Sequence, residues 1–195
     1  IDYTDRSTCV LFGDGAGAAV LSAAGPDEPC LIDFLHEIDG NGGSALCMPA
    51  GGSRRPASHE TVDQRMHFVK QDGATVFKFA VRKSGEVAQR LLERHGLSGS
   101  DLDLFVSHQA NGRIIEAVEG RLLEDGLGAT VVKNVSEYGN TSAASQIIAL
   151  SEELQRPDAD YDRVVAVLTG VGAGLHTGAA ALLLNTHTPY DPKQP

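Results

Sequence analysis

The sequence lacks the features of a membrane-spanning, secreted or nucleic-acid-binding protein. No apolar run approaches the length that spans a bilayer, and the first residues lack the order of a signal peptide. Positive charge is scarce, since 16 Lys and Arg face 26 Asp and Glu in 195 residues and the formal net charge is −10. This balance argues against nucleic acid or an anionic membrane as a general partner.

Cysteine is scarce as well, and neither cysteine nor histidine has the spacing of metal ligands. Cys9, Cys30 and Cys47 are an odd number of thiols, which fits a reducing cytoplasm better than secretion. The seven histidines form no HExxH-type pattern, so we predict no metal. Cys47 precedes Met-Pro-Ala-Gly-Gly, where a helix that could activate the thiol is not expected. We interpret all three cysteines as ordinary thiols.

Glycine is abundant and marks turns along the chain. Apolar stretches at residues 7–12 and 18–22 flank Gly13–Gly17 and predict a β-hairpin. A phosphate-binding loop is the alternative, but the order is G-x-G-x-G and no helical pattern follows. Residues 24–72 are broken by Pro and Gly, with one short strand expected at Cys30–Leu35.

From residue 73 helical and strand patterns alternate. Helices are expected from Val76 to Gly96, after residue 112 and over 142–155, the last burying Ala143, Ile147, Ile148 and Leu154. Strands are expected at 102–107, 130–132, 164–168 and 178–184, with a glycine turn at 170–174 between the last two. This order predicts an α/β layered unit closed by an antiparallel pair of strands.

Polar groups follow the strands of this unit where open α/β sheets place their ligands. His108 ends an apolar strand, and Asn140 lies at a Gly-Asn turn before a helix. Both side chains can donate N–H groups to an oxyanion or enolate, as can backbone N–H groups of the loop Gly170–Gly174. The alternatives are a plain hairpin turn for the loop and a core histidine for His108.

Taken together, these motifs resemble β-ketoacyl-acyl-carrier-protein synthase III of the thiolase superfamily. The stretches that carry the resemblance lie in the family's order over nearly the whole chain: FGDGAGAA (12–19), VFK (76–78), HQANGR (108–113), GNTSAAS (139–145) and the turn at 170–174. The resemblance implies a thiolase-like layered fold, with a mixed five-stranded sheet and helices on both faces. Residues 1–30 would be the last strands of the first half, 31–72 connecting loops, 73–187 the second half and 188–195 a tail.

The resemblance also implies an acyltransferase with a Cys-His-Asn site. Such an enzyme condenses an acyl-CoA starter with malonyl-acyl-carrier protein by decarboxylative Claisen condensation and initiates fatty acid biosynthesis. It needs no cofactor beyond these substrates. The matching positions are His108 and Asn140 for enolate stabilisation, Gly172, Ala173 and Gly174 for the oxyanion loop, Phe77 and Asn111 for coenzyme A or pantetheine, and Lys78 and Arg113 for the carrier protein.

The family's nucleophilic cysteine lies in a small-residue stretch such as A-A-C-A-G, and these 195 residues contain none. We therefore expect a separate segment or chain to carry the thiol, in an enzyme whose full form is a homodimer. The turn contains Gly172-Ala173-Gly174-Leu175 instead of the family's common Gly-Gly-Gly-Phe, so acyl preference stays open. Two alternatives remain: a starter-unit synthase or acyltransferase of polyketide or other secondary metabolism, and a non-catalytic thiolase-fold subunit.

Overall fold

The computed structural model describes residues 1–25, 28–124, 126, 128–157, 159, 161 and 163–184. The predicted tail, 188–195, lies outside these residues. The strands are β1 (Cys30–Ile38), β2 (Leu46–Cys47), β3 (Lys70–Gln71), β4 (Leu104–Ser107), β5 (Thr130–Val131), β6 (Val164–Gly172) and β7 (His176–Leu184). The α-helices are α1 (His59–Asp63), α2 (Gly73–Arg94), α3 (Gly112–Glu124), α4 (Val135–Tyr138) and α5 (Ala144–Leu154).

In the part of the chain that the structure describes, five strands form one mixed sheet in the order β1-β7-β6-β4-β5. Strand β4 runs parallel to β5 and β6, whereas β7 is antiparallel to both β6 and β1. The predicted mixed sheet and its closing antiparallel pair are confirmed. A separate short pair joins β2 to β3.

Helices cover both faces of this sheet because β4 and β6 are apolar on both sides. Phe105 and Val167 point to one face, where they pack with buried residues of α2 and α3. Leu104 and Ala166 point to the opposite face, where they pack with α5. The layered arrangement places the carboxyl ends of β4 and β6 between α2 and α3 on one side and α5 on the other.

Helix α2 supports this arrangement from its capped start. The Asp72 side chain accepts a hydrogen bond from Thr75 N, and Gly96, with φ of +66°, follows the helix end as the sequence predicts. Among the helices described, none combines the length and apolar character needed to cross a membrane.

The predicted hairpin over residues 7–22 is wrong. Residues 13–25 have no regular secondary structure, and the stretch makes a single β-bridge, between Phe12 and Asn140. The reason lies in the glycine segment, residues 13–17, whose glycines allow it to contact the start of α5 directly. A Cβ on Gly13 would lie 1.9 Å from the Tyr138 carbonyl oxygen, and one on Gly17 would lie 2.8 Å from Ile147 Cβ.

This contact also changes the buried face predicted for α5. Ala149 and Leu150 face the sheet, while Ala143 is exposed and Ile147 is only partly buried. Apolar periodicity identifies the apolar residues of a helix but not the element that each of them contacts. Helix α5 has two such elements beside it, the sheet and the glycine segment.

We expect Gly13→Ala to destabilise the protein, because the added methyl group meets backbone that cannot rotate away. Overpacking of this kind costs about 1–3 kcal/mol of unfolding free energy. Gly120→Ala is the matched control: this glycine lies inside α3 with nothing within 4 Å of its Cβ position. It should raise stability by roughly 0.5–1 kcal/mol. Urea unfolding measures both, and equal effects of the two substitutions would contradict the packing described.

Candidate active site

A cavity of about 740 Å³ opens at the carboxyl edge of the sheet. It lies where β4 and β6 end, as expected for open α/β sheets. Residues predicted from sequence meet in its wall: His108, Asn140, Phe77, Asn111, Gly172 and Ala173. Gly174, Lys78 and Arg113 do not line it, and none of the three cysteines does.

His108 directly follows β4, and hydrogen bonds hold it at both its backbone and its ring. Its backbone N donates to the Thr169 carbonyl oxygen at 2.7 Å, which extends the β4–β6 pairing by one residue. Its ring Nδ1 lies 2.7 Å from Ser145 Oγ at the start of α5. The imidazole is therefore anchored to two different elements.

Burial lowers the pKa of His108 from 6.5 to about 4. The cause is the loss of hydration, which penalises the charged imidazolium. At neutral pH the ring is neutral, with one N–H donor and one acceptor nitrogen.

Asn140 is buried and its carboxamide has a defined orientation. Its Oδ1 accepts a hydrogen bond from Ser142 N at 2.9 Å, and because a backbone N–H can only donate, the accepting atom must be the oxygen. The NH₂ group is left to donate towards the cavity. Ser142 has φ of +53°, an uncommon value for a residue other than glycine and one that often occurs at functional sites.

The backbone of Asn140 is also held in place, by the glycine segment near the N-terminus. Asn140 N donates to Leu11 O at 2.8 Å, and Gly13 N donates to Asn140 O at 3.0 Å. The close approach of Gly13 described above therefore positions a cavity residue.

The predicted glycine turn at 170–174 is shorter in the structure, because residues 170–172 pair with β7 as the end of β6 and the loop between the two strands is residues 173–175. Gly172 ends β6, and Ala173 to Leu175 turn the chain into β7. Gly174 has φ of +96°, and a Cβ there would lie 2.8 Å from the His176 ring, so glycine is required at this position. The predicted role of the loop N–H groups as oxyanion donors stays a prediction.

Phe77 lines the cavity from the second turn of α2, and Asn111 lines it from the position before α3. Asn111 Oδ1 accepts from Arg113 N at 2.9 Å and so caps α3. Lys78 and Arg113 are exposed near the starts of their helices. Neither makes a salt bridge to another residue that the structure describes, whereas further along α2 Arg90 pairs with Glu37.

Sequence reasoning missed the residues that orient His108. Ser145 and Gln109 lie inside the HQANGR and GNTSAAS motifs and are 2% and 1% exposed, respectively. The motif positions were a signal that could have drawn attention to them, but no local pattern indicates that Ser145 faces His108.

Two further histidines line the cavity without having been predicted. His36 from β1 and His176 from β7 lie with His36 Nε2 3.3 Å from His176 Nδ1. They come from adjacent antiparallel strands and are 140 residues apart in sequence, so only the strand pairing brings them together.

We expect the low pKa of His108 to make stability depend on pH. The imidazole of His108 binds a proton near pH 6.5 in the unfolded chain but only near pH 4 in the folded chain. The free energy of unfolding is therefore undiminished by this group above about pH 6.5 and falls as the pH is lowered from 6.5 towards 4. The pKa difference corresponds to about 3 kcal/mol. Urea unfolding of the wild type and His108→Gln between pH 7 and pH 4 measures this. Parallel curves for the two proteins would contradict the buried neutral ring.

Two family models match the chain. The model described as 3-oxoacyl-[acyl-carrier-protein (ACP)] synthase III C terminal matches residues 92–184, and the model described as 3-oxoacyl-[acyl-carrier-protein (ACP)] synthase III matches residues 1–40. These ranges include the glycine segment in one model and His108, Asn140 and the glycine loop in the other.

Curated relatives named beta-ketoacyl-[acyl-carrier-protein] synthase III are similar over most of the chain. The protein of Solibacter usitatus is 51% identical over 92% of this chain and 54% of its own length. That of Koribacter versatilis is 46% identical over 93% of this chain and 54% of its own length. The chain thus spans about half the length of the curated relatives it matches.

Solved structures are also similar to nearly all of this chain, which again covers about half of each of them. The 3-oxoacyl-(acyl carrier protein) synthase III of Pseudomonas aeruginosa matches with a TM-score of 0.81 and 38% identity, over 97% of this chain and 55% of that one. The priming beta-ketosynthase of the R1128 polyketide biosynthetic pathway matches with a TM-score of 0.72 and 34% identity, over 95% of this chain and 53% of that one. Both support a thiolase-like fold for this chain.

Proposed function

Because this chain belongs to the 3-oxoacyl-[acyl-carrier-protein] synthase III family, we propose that it supplies the His and Asn side chains of a condensing-enzyme active site. The observation that carries the proposal is that His108 and Asn140, two neutral nitrogen donors, line one cavity together with Gly172 and Ala173. In the proposed reaction an acyl-CoA starter is condensed with malonyl-acyl-carrier protein, which initiates fatty acid biosynthesis.

The chemistry requires stabilisation of an enolate. A cysteine thiolate first takes the acyl group from coenzyme A. The malonyl thioester then loses carbon dioxide, and the electron pair of the broken C–C bond delocalises onto the thioester oxygen. N–H groups of His108 and Asn140 stabilise this negative charge in a pocket of low polarity. The enolate carbon attacks the enzyme-bound acyl thioester and expels the thiolate, and a backbone N–H group of the loop near Ala173, which lines the cavity, binds the oxyanion of that step.

The neutral state of His108 suits this role. A protonated imidazole would act as a general acid and transfer a proton to the enolate, which would quench the carbon nucleophile. With its pKa lowered to about 4, the ring donates a hydrogen bond without carrying an extra acidic proton at neutral pH.

We further propose that the thiol comes from the part of the enzyme that these residues do not include. The outward face of β1 exposes apolar side chains, with Leu31 46%, Phe34 63% and Ile38 60% exposed. An apolar surface next to an open sheet edge favours coverage by another segment or chain. The expected homodimer of the full enzyme and its location in the cytoplasm belong to the same proposal, as does the absence of any cofactor other than the substrates.

The test uses the enzyme assembled with the cysteine-bearing part. We expect His108→Ala and Asn140→Ala each to slow decarboxylation of the malonyl thioester about 10²–10³-fold, because each removes one donor to the oxyanion. Acylation of the cysteine by acyl-CoA should persist, since it forms no enolate. Stopped-flow release of carbon dioxide and mass spectrometry of the acyl-enzyme measure the two steps.

His59→Ala is the control, since His59 is exposed at the start of α1, outside the cavity wall. Unchanged decarboxylation in both cavity variants would contradict the proposal and favour the non-catalytic subunit. A starter-unit synthase of polyketide metabolism is the second candidate, favoured by the similarity to the R1128 priming enzyme. Profiling of acyl-CoA starters and of carrier proteins separates the two activities.

Lys78 and Arg113 are proposed to meet the acidic carrier protein. Both are exposed near the helix starts beside the cavity, and their charges are not used in salt bridges within the described residues. Charges at the rim of an interface mainly accelerate encounter with an oppositely charged partner.

We therefore expect Lys78→Glu and Arg113→Glu to raise KM for the malonyl-carrier protein about tenfold while kcat changes little. The effect should shrink as salt is added. Arg54→Glu makes the same charge change at an exposed loop residue and serves as the control. Steady-state kinetics at two ionic strengths measures it, and equal KM values for all three variants would count against this surface.

A further inference from the structure

The hydroxyl group of Ser145 has a limited set of hydrogen-bond partners. Ser145 is 2% exposed in the first turn of α5. Its Oγ lies 3.1 Å from Gln109 N and 2.7 Å from His108 Nδ1. Within the described part of the chain these are the two partners of this oxygen.

The protons on these groups can be assigned from their chemistry. A backbone N–H only donates, so Ser145 Oγ accepts from Gln109. The hydroxyl proton then has one partner left, His108 Nδ1, which must accept it. If Nδ1 carried the ring proton instead, both contacts would donate to Oγ and the buried hydroxyl proton would lack an acceptor, which is costly.

We propose that Ser145 is a positioning residue that selects the tautomer of His108 with its proton on Nε2. Ser145 touches no reacting atom, so it acts through the imidazole. Since Nδ1 is engaged with α5, Nε2 is the ring nitrogen left to donate into the cavity that His108 lines. The catalytic meaning of this assignment rests on the proposed function, whereas the tautomer itself does not.

A second buried side chain, that of Gln109, fixes the position of the peptide group whose N–H donates to Ser145 Oγ. The Nε2 of Gln109 donates to Ser107 O at 2.9 Å and to Val132 O at 3.1 Å, and its Oε1 accepts from Asn134 N at 3.0 Å. With both ends of its carboxamide engaged, Gln109 ties the chain after β4 to the residues that follow β5. This arrangement fixes the direction of the Gln109 backbone N–H and hence the acceptor role of Ser145 Oγ.

The tautomer can be measured without substrate. Long-range ¹H–¹⁵N spectra of the chain labelled with ¹⁵N-histidine distinguish protonated from unprotonated ring nitrogens, and His108→Gln identifies the His108 signals among the seven histidines. At pH 7.5 we expect an unprotonated Nδ1 and a protonated Nε2 in the wild type. Ser145→Ala should move the Nδ1 shift and populate the other tautomer, whereas the control Ser151→Ala, at an exposed position of α5, should change neither.

A protonated Nδ1 in the wild type would overturn the proposal, as would a His108 spectrum unaffected by Ser145→Ala. The wild-type result stands even if the variant fails to fold. In the assembled enzyme, Ser145→Ala should lower decarboxylation about 10–100-fold, the range seen when the partner of a metal-bound histidine is removed. The predicted tautomer combined with no decarboxylase activity in the wild type would refute the proposed function and leave the role of Ser145 intact.

Discussion

The contact between the end of β4 and the start of α5 is the constraint on which the site depends. His108 extends β4, and its ring is held by Ser145 on α5. Asn140 precedes the same helix, and its carboxamide oxygen is occupied by Ser142 N. Each side chain therefore has one polar atom bound within the protein and presents the other to the cavity. Without this contact the two donors would belong to separate elements with no common target.

Burial gives these donors their chemical character. The pKa of His108 is low because the ring is shielded from water, and a neutral ring can donate without being an acid. The same exclusion of water strengthens the interaction of an N–H group with a developing negative charge. Removing either support leaves a buried polar atom unpaired, which is more costly than the net gain from a hydrogen bond. The network around Ser145 and Gln109 is therefore sensitive to single changes.

The glycine segment near the N-terminus shows how local patterns can mislead. Gly13 to Gly17 between two apolar stretches predicted a hairpin, but the segment packs on α5 and its backbone bonds to Asn140. A glycine is equally suited to a tight turn and to a close approach between backbones, and only the neighbouring element distinguishes these uses. The same neighbour explains why Ile147 contacts Gly17 as well as the sheet core, whereas Ala149 and Leu150 are buried against the sheet.

The sequence by itself determined the order and type of most regular elements from residue 73 onwards, because apolar periodicity and glycine stops act over a few neighbouring residues. It did not indicate the short helix α4, whose four residues are too few to show a period. It also determined the chemical identity of the donors, His108 and Asn140, and, by resemblance, their family. Only the tertiary structure decided which groups meet, since His108 and Ser145 are 37 residues apart and His36 and His176 are 140 apart. Ring orientation, burial and the lowered pKa follow from those distant contacts, and no local propensity encodes them.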